Sequence, residues 1–176
     1  MAVIWSSGTQ HDYSNVVSWK TSVTGQQQSK ANNQGASSQV EVAGLNAITH
    51  AIKRSGNIVL VKYHFCIKGN ANSDEARMLV TVDQQEFNGG ATGHCNGSSA
   101  QQTRNFHLNG VAAFTPNDTN NHTYRCEWFS SEGGSTVTIN GAYDPNYWTQ
   151  GVMELIEIDS DSAVGGGNQG SGYGTP

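Results

Sequence analysis

Chemistry in this chain would have to come from its acids, histidines and thiols, so their spacing is the first test. The acidic residues, scattered from Asp12 to Asp161, never fall as two on one strand face beside an aromatic cleft. A glycoside hydrolase needs that pairing for its acid and its nucleophile or base. His107 and His122 fall in or beside strand-like runs without recurrent metal-ligand spacing. His94 and Cys95 are adjacent in "GGATGHCNGSS", but two neighbouring ligands without a second pair do not make a metal centre. "NDTNN" and "DSDS" lack the twelve-residue pattern of a calcium loop. The sequence also has no Gly-x-Ser-x-Gly elbow and no Gly-rich phosphate loop closed by Lys. The expectation is a protein that is not an enzyme, with no catalytic residues, no metal and no cofactor.

The three cysteines, Cys66, Cys95 and Cys126, are odd in number and widely spaced, which argues against a disulfide framework. Cys66 and Cys126 lie in strand-like runs, where a reduced thiol packs as a small apolar group. The best contact site by composition is "GAYDPNYWTQG". There Tyr143, Tyr147 and Trp148 offer large apolar area with polar handles, to a protein neighbour or to a sugar ring. The sequons at Asn96, Asn117 and Asn121 are expected by chance in a chain so rich in Asn, Ser and Thr.

The elements that would carry these residues follow from composition and period. The chain has 176 residues, enough for one domain with a full core, and only 13% are charged. Ser, Thr, Asn, Gln and 21 Gly supply the polarity instead. A net charge of -5 gives no electrostatic reason to bind a phosphate backbone, so nucleic acid is not an expected partner. No apolar run approaches the roughly 18 residues of a membrane-spanning helix. "MAVIWSSGTQ" reads as a mature start without a secretory leader. No membrane association is expected.

Period-two alternation recurs between turn clusters. In "NIVLVKYHFCIK", Val59, Val61, Tyr63, Phe65 and Ile67 share one face, and Lys62, His64 and Lys68 the other. "SNVVSWK", "SQVEVAGLNAITHAI", "EARMLVTVD", "TRNFHLNGVAAF", "HTYRCEWFS", "STVTING" and "GVMELIEI" read as further strands, about eight in all. "TGQQQSKANNQGAS" reads as a polar loop and "HTYRCEWFSSEGGSTVTING" as a hairpin turning at "SEGG". Tyr124, Cys126 and Trp128 lie on the buried side of that hairpin, continued by Val137 and Ile139 on its return strand. The fold class is all-β, an antiparallel sandwich.

"GVMELIEI" is apolar on both faces: Met153 and Leu155 point one way, Val152, Ile156 and Ile158 the other. Such a strand is covered on both sides, and in a two-layer sandwich the second cover is another element or another subunit. Glu154 and Glu157 on this strand are expected to reach solvent or to meet Lys, Arg or a hydroxyl across that contact, because an unpaired buried carboxylate is costly. The domain expectation is an N-terminal arm over 1–12, with Val3, Ile4 and Trp5 as an apolar plug, and a folded domain over 13–159. A Gly-rich tail over 160–176 carries Tyr173 and is expected to lie against a neighbour.

The segments "VVSWKTSVTG", "VEVAGLNAITHAIKRSGNIVLVKYHF", "AFTPNDTNNHTYRCEWFSSEGGSTVTING" and "TQGVMELIEI" occur in that order. Their order resembles a class of small tailed-phage virion proteins, over residues 13 to 159. In that class a "V.GL..SITP" strand leads into "SSKILV", a "TP.T..HTY.V" segment follows, and the domain closes on a "STITLMEI"-like strand. Two segments depart from it. "AITHAIKRSGN" stands where the class is rich in proline and serine, and "AYDPNYWTQG" is more aromatic than the usual link. The resemblance implies a compact jelly roll of the tumour-necrosis-factor and complement-globular-head type, forming a homotrimer. It further implies a structural protein on the virion exterior, a capsid decoration or cement protein with the major capsid protein as partner. Val152, Glu154, Ile156 and Ile158 would then lie at the trimer interface. Val3, Ile4, Trp5, Tyr143, Tyr147, Trp148 and Tyr173 would contact the capsid or a ligand. The alternatives are the receptor-binding tip of a tail fibre and a soluble carbohydrate-binding lectin, either one placing a host-surface glycan among the partners.

Overall fold

The computed structural model describes residues 2–4, 10–12, 16–31, 39–69, 75–94, 104–130, 136–140 and 149–160. Alternation decides where most of these side chains go, because successive residues of a strand leave on opposite faces. On β7 (Ile58–Gly69), Val59, Val61, Tyr63, Phe65 and Ile67 are buried while Lys62 and His64 are exposed. On β11 (Asn121–Ser130), Tyr124, Cys126 and Trp128 turn inward. These two rows join one apolar core with Met153 and Leu155 of β13 (Gly151–Ile158). Cys66 and Cys126 are free and buried.

Two antiparallel sheets enclose that core as a β-sandwich. In the first sheet β3 (Val16–Thr24) pairs β13, β13 pairs β7, and β10 (Arg104–Phe114) pairs the other side of β7. Beyond the end of β13, β12 (Val137–Ile139) pairs β7 at Ile67 and Lys68 and carries β4 (Gln28–Lys30) on its far side. The second sheet is centred on β11. One flank holds β8 (Glu75–Val82) and then β9 (Gln85–His94); the other holds β5 (Val40–Glu41) and β6 (Ile48–Ala51), one after the other. β1 (Ala2–Ile4) and β2 (Gln10–Asp12) form a separate two-stranded ladder.

Tight turns and close packing explain several local choices. β8 and β9 are joined by Asp83 and Gln84, both at positive φ (50° and 68°). That is the geometry of a two-residue turn whose twist matches the strands it joins. Gly110 of β10 lies directly across from Tyr63. A Cβ on Gly110 would run into the Tyr63 ring, so the missing side chain lets the ring lie flat over β10.

The sandwich corrects several expectations. "STVTING" does not return beside β11: β12 belongs to the opposite sheet, so the chain crosses over between them. Alternation shows which face of a strand is apolar, not which sheet it joins, and Val137 and Ile139 enter the same core from the other side. The polar loop "TGQQQSKANNQGAS" contains β4. "SQVEVAGLNAITHAI" is two strands, broken where Gly44 adopts φ 70°. The first half of "GGATGHCNGSS" lies in β9, the outermost strand of the second sheet. Thirteen strands are found among the described residues, against about eight expected, because pieces of two or three residues show no periodicity.

Candidate functional site

The outer face of the first sheet does not become polar as a solvated face should. Register across β3, β13, β7 and β10 sets its side chains in rows. One row runs Trp19, Ile156, Leu60, Ala113, apolar across all four strands. On one side of it Ile158 lies between Val16 and Ile58, at a bulge where the β3–β13 register shifts. On the other side run Thr21, Glu154, Lys62, Val111, and then Val23, Val152, His64, Asn109. Trp19 is 61% exposed, Val111 55%, Val23 50% and Val16 48%. Ile156, Ile158, Val152 and Leu60 are half-buried, sheltered by neighbours on both sides.

Large apolar side chains scattered singly over a surface need no account, whereas a contiguous patch with a polar border marks a contact surface. Here the apolar row crosses four strands near one end of the sheet, next to Ile158, Val16 and Ile58. Glu154 stands across from Lys62 inside the patch, so opposite charges are matched in register. Beyond them the His64 and His107 rings lie against each other, with centroids 5.1 Å apart. Covering the patch would remove apolar area from water at roughly 25 cal/mol per Å².

All of Val152, Glu154, Ile156 and Ile158 fall on this face. The structure adds Trp19, Val23, Leu60 and Val111, which sequence reading did not single out. "SNVVSWK" gives no sign that its apolar residues point away from the core. Val3 and Ile4 lie in β1, opposite His11 and Gln10, and their side chains fall outside the description. Trp5, Tyr143, Tyr147, Trp148 and Tyr173 lie outside the described residues.

Glu157 corrects the expectation that it would reach solvent or an interface. It is fully buried on the core side and accepts three hydrogen bonds: from His50 Nε2 (2.6 Å), Asn57 Nδ2 (2.7 Å) and the Lys53 amide (2.8 Å). Burial pushes its carboxyl up, but the bonds from Asn57, His50 and the Lys53 amide outweigh this and hold it below the ordinary carboxylate value. The cluster ties β13 to β6 of the opposite sheet and fixes one end of the sandwich.

A second polar cluster lies where the β8–β9 turn meets the loop before β11. His122 Nδ1 is 2.7 Å from Asp83 Oδ2 and Nε2 is 2.9 Å from Asp118 Oδ1. A carboxylate only accepts, so both bonds form together when the ring is protonated and donates from both nitrogens. The bonds to Asp83 and Asp118 raise its pKa. Asp83 is lowered chiefly by the Thr123 amide, at 2.8 Å from Oδ1, and Asp118 chiefly by His122. The two carboxylates lie at opposite edges of the ring and do not converge on one point. Among the described residues no three His, Cys, Asp or Glu are placed to hold a metal ion. Beside this cluster lies a cavity of about 340 Å³. Asp118 and His122 are four apart in sequence, but Asp83 is distant and only β8–β11 pairing brings it in.

No protein-family model matches the chain, and no curated protein matches it.

Proposed function

We propose that the chain is a non-enzymatic structural protein of a phage virion, a homotrimeric jelly roll that decorates and cements the outside of the capsid. The observation that carries this reading is the apolar row Trp19, Ile156, Leu60, Ala113 across the outer face of the first sheet. A closed cyclic arrangement of three copies covers the same face on each subunit and leaves none exposed. The strand order supports the jelly roll: β3, β13, β7, β10 in one sheet and β6, β11, β8, β9 in the other, with the first strand of the sandwich beside the last. The virion setting rests on the resemblance of residues 13 to 159 to small tailed-phage proteins. A protein that binds only the assembled shell stabilises it by mass action.

The test is the copy number of the chain per purified particle, by quantitative mass spectrometry against the major shell protein. Copies on the scale of the capsid lattice are expected. A few copies per particle would place it on a tail fibre, and none would leave a soluble lectin.

A further inference from the structure

We propose that His64 and His107 make self-association through the outer face of the first sheet sensitive to acid: copies stay together at neutral pH and separate when the two rings take up protons. This rests on the reading of that face as a contact between copies of the chain. His64 lies in the row Val23, Val152, His64, Asn109, so a copy that covers Val23 and Val152 reaches it directly. His107 stands across from Cys66, the residue of β7 that follows His64 on this face. The two rings have centroids 5.1 Å apart, with 31° between their planes. Both are exposed in the single chain.

The charges around the pair decide the sign. On β7, Lys62 and Lys68 flank it on the same face. β13 brings Val152 and Glu154, and Glu154 already stands across from Lys62. β10 brings Asn109 and Val111, and β12 brings Thr138 across from Lys68. β9, which packs along β10, carries Glu86 and His94, whose side chains lie outside the description. Cys66 is buried, and burial pushes its thiol up, so it stays uncharged. Among the described side chains of the face, Lys62 and Lys68 therefore outnumber Glu154 when the rings are neutral, and protonation of both rings adds to the positive excess. No described acid on this face is left over to receive the new charge.

In the single chain these charges are hydrated and screened by salt. Covered by another copy, they lose that water and meet the same positive excess on their neighbour. The assembly then binds protons less well than the free chain, and by linkage acid favours the free chain. Histidine is the side chain that ordinarily changes charge between about pH 5 and 8. The rest of the molecule pulls the other way. The chain has a net charge of -5 at pH 7 and a pI near 5.6, so mild acid removes the overall repulsion between copies. Weaker association in acid is therefore a local effect of this face.

The experiment is sedimentation equilibrium of the full chain at about pH 7.5 and about pH 6, at one ionic strength. Expected is an oligomer at the higher pH whose midpoint concentration for dissociation rises by about tenfold or more at the lower, with unchanged circular dichroism. A chain carrying His64→Gln and His107→Gln together is expected to associate as the native chain does at the higher pH and to remain associated at the lower. His122→Gln, on the second sheet, is expected to keep the native response. Association that is unchanged or stronger in acid overturns the proposal and leaves the contact reading standing. An acid response that survives the double substitution, or that His122→Gln abolishes, does the same. A native chain that is monomeric at both pH values overturns the proposal and the contact reading together.

Discussion

An imidazole with a carboxylate on each nitrogen keeps its proton above the pH at which a free histidine loses it. In this protein that imidazole is His122, and it joins the β8–β9 turn, the loop before β11 and β11 itself. The direction of each shift fixes the pH dependence. Asp83 and Asp118 are below their ordinary 3.8, so their share of stability is present above that value and lost as pH falls through their folded-state values. His122 is above its ordinary 6.5, so its share is present below 6.5 and lost as pH rises through the raised value. The three-way contact is complete from the lowered values of the two carboxylates up to the raised value of the ring. The melting temperature of the native chain is expected to exceed that of His122→Gln most at about pH 5 to 6, and the gap to narrow as pH rises through the raised value of the ring. A gap that does not change with pH would show that the bonds carry no stability. Glu157 is a different case, because its bonds to His50, Asn57 and the Lys53 amide are buried and belong to the core.

Among the elements, β4 shows how much a short strand can hold. Its Gln28 Oε1 accepts from Trp128 Nε1 at 2.7 Å and from the Ala43 amide at 3.2 Å. Trp128 is wholly buried. Gln28→Ala leaves that indole N–H unpaired and is expected to cost about 1–3 kcal/mol, read as a lower urea midpoint. Gln27→Ala, on an exposed neighbour, is expected to leave the midpoint unchanged. This strand lies in the stretch that composition assigned to a polar loop, which shows where sequence reading stops. β7, β11 and β13 were legible because long alternation reports burial directly. β4 was not, and β5 was not separated from β6, since a strand of two or three residues is stabilised by partners far away in sequence. The crossover of β12 was hidden for the same reason: its apolar pattern would be identical in either sheet. Half of the apolar outer face was legible too, in the two-sided β13, while Trp19 and Leu60 joined it only through register.

For the whole molecule, the outer face of the first sheet makes the decisive measurement one of mass. Ile156 points away from the core, so Ile156→Lys is expected to leave the sandwich folded. The same substitution sets a charge in the middle of the apolar row. Light scattering after gel filtration is expected to give a trimer for the native chain and a monomer for the variant, with the same circular dichroism. The native melting temperature is also expected to rise with protein concentration, as it does when folding and association are linked. A native chain that stays monomeric at every concentration would remove the basis of the decoration reading.

The position of β13 has a consequence for synthesis. Of the described sandwich strands it is the last in sequence, yet it fills the gap between β3, the first, and β7. A nascent chain therefore leaves the ribosome with the middle of one sheet missing until its closing segment emerges. Pairing between such distant segments is slow to form. The same strand brings Met153 and Leu155 to the interior and Ile156 to the outer face, so a prematurely stopped chain loses part of the core and part of the outer row together. Without β13 the β3 and β7 edges that it pairs would be left open, and open edges invite aggregation.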